Sequence, residues 1–195
     1  MYIEIRNYEV KIMELVQPIK DKNQIERFKN VLLENGTRDL LLFVMGINSG
    51  LRISDLIPLV KKDVITGVIK IRETKTQKVK EFPLNQAILT ILNPYIECLN
   101  DDDYLFPSRQ SNGKNGHITR QQAYNILNKA SAKIGIKEQI GTHTLRKTFG
   151  YWHYKQFKDV VMLQKIFNHS APSITLKYIG IEQDEINNSY MNFAL

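Results

Sequence analysis

Six side chains suited to phosphate and proton chemistry stand in a fixed order along the chain. Arg52 lies in GLRISDL (residues 50–56), Lys75 in TKT, His143 and Arg146 in HTLRKTF (143–149), and His169 and Tyr178 in LQKIFNHSAPSITLKYI (163–179). A phosphodiester accounts for all six. Its nonbridging oxygens call for planar, permanently charged forks, which arginine supplies and lysine does not. Tyrosine, with an ordinary pKa of about 10, becomes a nucleophile where cations favour the phenolate and an imidazole takes its proton. The departing sugar oxygen needs a proton, which a lysine on a turn can deliver. Charge stabilisation by arginine and histidine would carry the largest share of the acceleration, and the covalent route calls for neither metal nor ATP.

Each residue also has a plain reading. Arg52 and Asp55 can form an intrahelical ion pair worth ~0.2–0.5 kcal/mol. Lys75 can be a solvated turn lysine, with Lys78 or Lys80 in its role. His169 can sit at a helix end against the terminal carbonyls. Tyr190 also follows His169, but it shares the apolar face Ile186–Tyr190–Phe193 and reads as packing. His117 and His153 carry no motif and read as surface or structural, and Cys98 reads as a small buried apolar side chain. The six in order outweigh these separate readings.

The elements that must position them are mostly helical. Asp21 caps a helix with Ile25, Phe28 and Leu32 on one stripe, and Gly36 ends it. Thr37 caps a second, very apolar helix that runs to Asn48-Ser49-Gly50, and a short helix covers 52–59. The β-branched residues between Val64 and Leu84 predict a hairpin with TKTQK between its strands. Ile88, Ile91, Tyr95 and Leu99 share a helical face that Pro94 kinks, or a new helix starts after Asn93. Residues 100–117 read as loop. Thr119 and Gln122 form a capping box opening a helix to about Lys133, and Gly135 and Gly141 bracket a connector. Further helices are expected over 144–156, 159–168, 172–177 and 183–191. The fold class is mainly α with a small antiparallel β-sheet (α+β).

The order Arg, Lys, His-x-x-Arg, His, Tyr resembles the active site of the tyrosine recombinases, the phage-integrase family, whose catalytic fold is shared with type IB DNA topoisomerases. The resemblance spans about residues 16–180. It implies that Arg52 and Arg146 clamp the scissile phosphate and that His143 accepts the nucleophile's proton or steadies the phosphate. Lys75 would protonate the 5′ oxygen, His169 would bond a nonbridging oxygen, and Tyr178 would form a 3′-phosphotyrosine. Asp55 would take the place of the supporting acid, usually glutamate, and Asn168 stands where glycine commonly precedes the second histidine. The implied partners are double-stranded DNA, a tetramer on synapsed DNA sites built from chains that are monomeric when free, and an accessory directionality factor. Residues 1–15 read as an N-terminal extension or linker remnant, 16–180 as the catalytic domain, and 181–195 as a C-terminal tail helix. The chain has no room for the family's core-binding or arm-binding domains. It resembles the short, single-domain invertases of fimbrial switches, or a catalytic-domain fragment.

Composition agrees with a DNA-acting globular protein. The 195 residues carry 27 Lys+Arg against 20 Asp+Glu, net +7, with 43% apolar residues, which excludes a disordered or fibrous chain. No apolar run reaches the ~18 residues of a membrane span, and the N-terminus lacks a signal-peptide pattern, so a cytoplasmic protein is expected. One cysteine excludes an internal disulfide framework and a multi-cysteine zinc site. Residues 61–80 carry seven basic and two acidic side chains, so Lys61, Lys62, Lys78 and Lys80 are expected on DNA phosphates, with affinity falling as salt rises. Base readout is expected from the helices near 119–134 and 144–156. The last fifteen residues hold Glu182, Asp184 and Glu185 and no Lys or Arg, so the tail is expected on a neighbouring subunit rather than on DNA. The alternatives are a catalytically silent DNA-binding module, a type IB topoisomerase that relaxes supercoils, and an RNA-binding or basic interaction domain.

Overall fold

The computed structural model describes residues 16–108 and 116–194, with side chains undescribed at 182–186 and 189. The N-terminal extension read at 1–15 and the middle of the 100–117 loop lie outside the described residues.

Helix α1 (Lys22–Asn35) forms as its sequence dictates. The Asp21 side chain accepts from the Asn23 amide at 2.8 Å, Ile25, Phe28 and Leu32 are buried, and Gly36 caps the end at φ +124°. A cap of this kind is worth ~1 kcal/mol. Helix α2 (Thr37–Ser49) is the centre of the molecule and packs against α1, α4 (Gln86–Ile96) and α6 (Thr142–Phe157). Surrounded in this way, Leu40 to Gly46 are all buried, and the helix is apolar on every side. Thr37 does not cap it. Gly36 holds the N-cap position and no side chain does the capping. The expected helix over 52–59 shrinks to α3 (Ile53–Leu56), with Arg52 outside it as the N-cap residue. Ile57 caps it in helical backbone, and Pro58, which has no amide to donate, ends the run.

The hairpin pairs β1 (Val68–Arg72) with β2 (Val79–Pro83) antiparallel, Ile69 opposite Phe82 and Arg72 opposite Val79. It starts later than the strand-prone residues suggest. Val64 and Ile65 instead follow a single 3-10 turn at Lys61–Asp63, fixed by the Asp63 carboxylate on the Val60 amide at 3.0 Å.

Helix α4 is continuous through Pro94, so no new helix starts after Asn93. Pro94 lies in the last turn, where one missing amide costs little next to the burial of Ile88, Leu92 and Ile96. That stripe replaces the expected one through Ile91, Tyr95 and Leu99, which are only partly buried. It also turns Cys98, just past the helix end, out to solvent, so Cys98 is exposed and not the buried apolar residue expected.

The capping box of α5 (Arg120–Ile134) makes both bonds. The Gln122 amide donates to Thr119 Oγ1 at 3.1 Å and the Thr119 amide to Gln122 Oε1 at 2.7 Å. After α6 come α7 (Val160–Phe167), α8 (Pro172–Ile179) and α9 (Ile181–Asn192). Under α6, α7 and α8 lies a second, smaller core of Tyr151, Leu163, Phe167, Ile179 and Ile181. Gly150 lets these helices meet, since a Cβ there would stand 2.6 Å from Ile179 Cγ2 and 2.8 Å from Phe167 Cζ.

The entering chain is tied to α6. The Ile19 amide donates to Thr148 Oγ1 at 2.9 Å, and Trp152 Nε1 donates to the Ile19 carbonyl at 2.9 Å. At the other end, Tyr190 and Phe193 do not pack as expected. They and Met191 are 71–84% exposed on and just beyond α9, because among the described residues none lies over that face. Among the described residues no helix is long and apolar enough to cross a membrane.

Candidate active site

Gly50 ends α2 in the left-handed region at φ +62°, a conformation glycine adopts without penalty. The turn puts Arg52 immediately outside α3, 18% exposed. Arg52 Nη1 donates to Glu73 Oε1 at 3.0 Å and lies 4.0 Å from Asp55 Oδ2. The ion pair with Asp55 read from the sequence is therefore secondary to one with Glu73. Asp55 serves the hairpin instead, its Oδ1 accepting from the Thr74 amide at 2.9 Å. Among the described residues its buried Oδ2 has no hydrogen-bond partner.

Glu73 is fully buried at the end of β1. Besides Arg52 it accepts from Thr76 Oγ1 at 2.6 Å and from Asn168 Nδ2 at 2.8 Å. Burial alone would raise its pKa, but the Thr76 bond and the nearby Arg52, Lys80 and Asn168 outweigh it and hold the carboxyl below its ordinary value. Asn168 can make this bond because it caps α7 at φ +53°, a left-handed position where asparagine is tolerated next after glycine.

Arg146 is 3% exposed on α6. Its Nη1 donates to the Gly50 carbonyl and its Nη2 to the Phe167 carbonyl at 2.8 Å, so the C-termini of α2 and α7 both point at one guanidinium. The negative ends of two helix dipoles help offset the loss of water. Phe167 also lies beneath it, 4.2 Å from Cζ to ring centroid. Burial still pulls Arg146 down to about 10, a value that leaves it charged at neutral pH.

His169 follows Asn168, and its Nδ1 lies 2.9 Å from Thr175 Oγ1. Burial, then the charges of Arg146 and Arg52, lower its pKa to about 4, so the imidazole is neutral at pH 7. With Nδ1 engaged, Nε2 is left for a substrate. Tyr178 on α8 stands edge-on to His169 and Phe167 at centroid distances of 5.2 and 5.6 Å. The Arg146 guanidinium stands close enough to its hydroxyl to favour the phenolate. Burial raises the phenol pKa, and Arg146 and Arg52 oppose that rise.

Lys80, on β2, is largely buried and donates to the Ile166 carbonyl at 3.1 Å. Its pKa drops to about 8, through burial first and the neighbouring Arg146 and Arg52 after it, with Glu73 and Asp55 opposing.

Of the residues expected from sequence, Arg52, Arg146, His169, Tyr178 and Asp55 come together, and Lys80 joins them. His143 is partly buried in the first turn of α6, one turn before Arg146. Lys75 is exposed in the hairpin turn. Lys61 and Lys62 meet the 99–103 segment, Lys61 Nζ on the Leu99 carbonyl at 2.7 Å and Lys62 on the Asp102 carboxylate. Lys78 is exposed. Glu73 was not foreseen at all. Its only sequence signal is an acid amid a basic stretch, two residues before Lys75. Among the described residues no group of three or more His, Cys, Asp or Glu could hold a metal ion.

Comparison with known proteins fits this geometry. Residues 20–185 match the model of the phage integrase family. The chain is 43% identical over 183 residues to the probable integrase/recombinase YoeC of Bacillus subtilis, covering 93% of this chain and 99% of that one. It is 25% identical to the tyrosine recombinase XerD of Staphylococcus epidermidis, where it covers 98% of this chain and 66% of the relative. Among solved structures, the XerA recombinase superposes with a TM-score of 0.72 at 20% identity, over 90% of this chain and 63% of that one. A lambda integrase dimer bound to a core site superposes at 0.67 with 14% identity, over 84% and 59%. At such identities these two likenesses concern the fold. Fold and family model agree, and the chain belongs to the phage integrase family, the tyrosine-type site-specific recombinases.

Proposed function

We propose that this chain breaks and rejoins duplex DNA at specific sites through a covalent bond to Tyr178. The observation that carries the reading is Tyr178 edge-on to His169 and within the fields of Arg146 and Arg52. The Arg146 charge beside the phenol favours the phenolate, and a base takes the phenol proton. The Tyr178 oxygen attacks phosphorus, its proton passes to His143, and the bond from phosphorus to the 5′ oxygen breaks. The 5′ oxygen takes a proton from Lys75. The phosphate remains on Tyr178 as a 3′-phosphoryl ester until the 5′ hydroxyl of a partner strand reverses the steps. The bond energy is conserved throughout, so no metal or ATP is called for. Arg52 and Arg146 stabilise charge developing on the nonbridging oxygens, and a neutral His169 offers a hydrogen bond rather than a third charge.

DNA is the substrate, gripped in part by the basic residues of the hairpin region. The exposed Tyr190, Met191 and Phe193 suit docking of the tail on a neighbouring copy, with four chains on two synapsed sites and monomers when free. An accessory directionality factor would bias the outcome, and the reaction would take place in the cytoplasm.

The test uses nicked duplexes covering the DNA that flanks the chain's own gene. A covalent complex that forms with wild type and Tyr190→Phe and vanishes with Tyr178→Phe is the expected result. Binding without an adduct in wild type would refute the reading in favour of a silent module. Relaxation of supercoils without site preference would move it to a topoisomerase.

A further inference from the structure

The buried carboxylate of Glu73 is not among the six groups that the chemistry above requires, yet three side chains donate to it. Its two oxygens accept from three separate segments: Arg52 before α3 at 3.0 Å, Thr76 in the hairpin turn at 2.6 Å, and Asn168 between α7 and α8 at 2.8 Å. Its backbone closes the same turn, with the Glu73 amide donating to the Lys78 carbonyl and the Gln77 amide to the Glu73 carbonyl, each at 2.9 Å. Each segment carries a group of the proposed mechanism: Arg52 itself, Lys75 between Thr74 and Thr76, and His169 next to Asn168. A carboxylate with no exposure has lost its water, and protein donors must replace it completely. Three donors on its oxygens do so.

We propose that Glu73 is a positioning residue that fixes Arg52, the Lys75-bearing turn and the His169-bearing loop in one register. The inference rests on the recombinase reading above. A guanidinium has five N–H donors, so one bond to Glu73 orients Arg52 and leaves a fork for the phosphate. Asn168 is the matching half of the device on the other segment. It meets the left-handed backbone requirement that a glycine would meet, and it adds an amide that reaches Glu73. Glu73 itself touches no reacting atom.

The test measures adduct formation on the nicked duplexes at saturating DNA, DNA affinity, and thermal unfolding. Glu73→Gln keeps an oxygen for Arg52 but presents an NH2 where Thr76 and Asn168 need an acceptor. It is expected to slow cleavage ~10–100-fold, since small misplacements of catalytic groups have effects of that order. DNA affinity should change less than ~3-fold, because most affinity comes from backbone contacts elsewhere. Asn168→Gly keeps the backbone conformation, loses the amide, and should slow cleavage in the same way, which serves as the test if Glu73→Gln does not fold. Combining Glu73→Gln with Asn168→Asp reverses donor and acceptor across the same gap and should recover at least ~10-fold of the lost rate. Glu81→Gln removes an exposed acid paired with Lys70 on the same hairpin and should cleave at the wild-type rate. The proposal is overturned if Glu73→Gln or Asn168→Gly cleaves like wild type, if affinity falls as far as rate, or if the reversed pair recovers nothing. A wild-type chain that binds and traps no adduct would instead refute the recombinase reading, whatever the Glu73 variants do.

Discussion

Lys80→Met should stabilise the free protein near neutral pH relative to its effect at high pH, even though it removes a cation from a DNA enzyme. In the fold the ammonium is desolvated beside Arg146 and Arg52, and its pKa falls from 10.5 to about 8. At ~1.36 kcal/mol per pH unit that difference sets a ceiling of ~3.4 kcal/mol on the cost of keeping the charge. Residual solvent contact reduces it to ~1–2 kcal/mol. Methionine also forfeits the bond to the Ile166 carbonyl, at ~1 kcal/mol, so the net change at pH 7 alone is a poor measure. The pH trend is the better one. Between pH 8 and 10.5 the unfolded lysine still holds its proton and the folded one has lost it, so wild-type stability rises with pH across that window. Below pH 8 both forms are charged and the full cost applies. Urea unfolding of both proteins at pH 7 and pH 10, at constant ionic strength, should therefore show the stability difference moving by ~1–2 kcal/mol in favour of wild type at the higher pH. A difference unchanged between the two pH values would refute the placement of Lys80 in this cation cluster.

Local physics made most of the elements legible. Asp21, Gly36, the Thr119–Gln122 box and Gly135 end or begin helices through bonds within a few residues, which is the range a sequence displays directly. The misplaced features were settled by distant partners. Pro94 remains helical because three apolar side chains anchor α4, and Cys98 is exposed because that stripe is rotated from the one expected. The site follows the same division. Arg52, Arg146, His169 and Tyr178 were legible because the family order fixes them together. Glu73 was not, since its bonds span 21 residues to Arg52 and 95 to Asn168, and nothing near it in the chain marks it as buried. Asn168 was visible only as a departure from glycine. The Arg52–Asp55 spacing suggested a pair that the structure gives mainly to Glu73, because the end of β1 brings a better acceptor within reach.

Acid should weaken the fold through His169. Its pKa is depressed from 6.5 to about 4, so its contribution is complete above pH 6.5 and is lost as pH falls toward 4, where the unfolded chain takes the proton first. With the ring only partly buried the loss is ~1 kcal/mol after solvent screening, and His169→Asn should show that much less destabilisation between pH 7 and 5 in urea titrations. Gly150→Ala tests how the small core supports the site. The added Cβ would meet Ile179 and Phe167 at 2.6–2.8 Å in the tightest part of that core, and overpacking of this kind costs ~1–3 kcal/mol. Phe167 has to yield, and it supplies both a carbonyl and a ring face to Arg146. Cleavage should therefore fall further than the unfolded fraction explains. Gly135→Ala is the matched control, because it too is expected to cost ~1–2 kcal/mol, but from a left-handed φ of +73° with open space around its Cβ and no tie to the site. If the two variants lose stability equally and the Gly150→Ala chain that remains folded cleaves at the wild-type rate, then Arg146 does not depend on the packing of α7 against α6, and the two helix ends that converge on it are incidental to the chemistry.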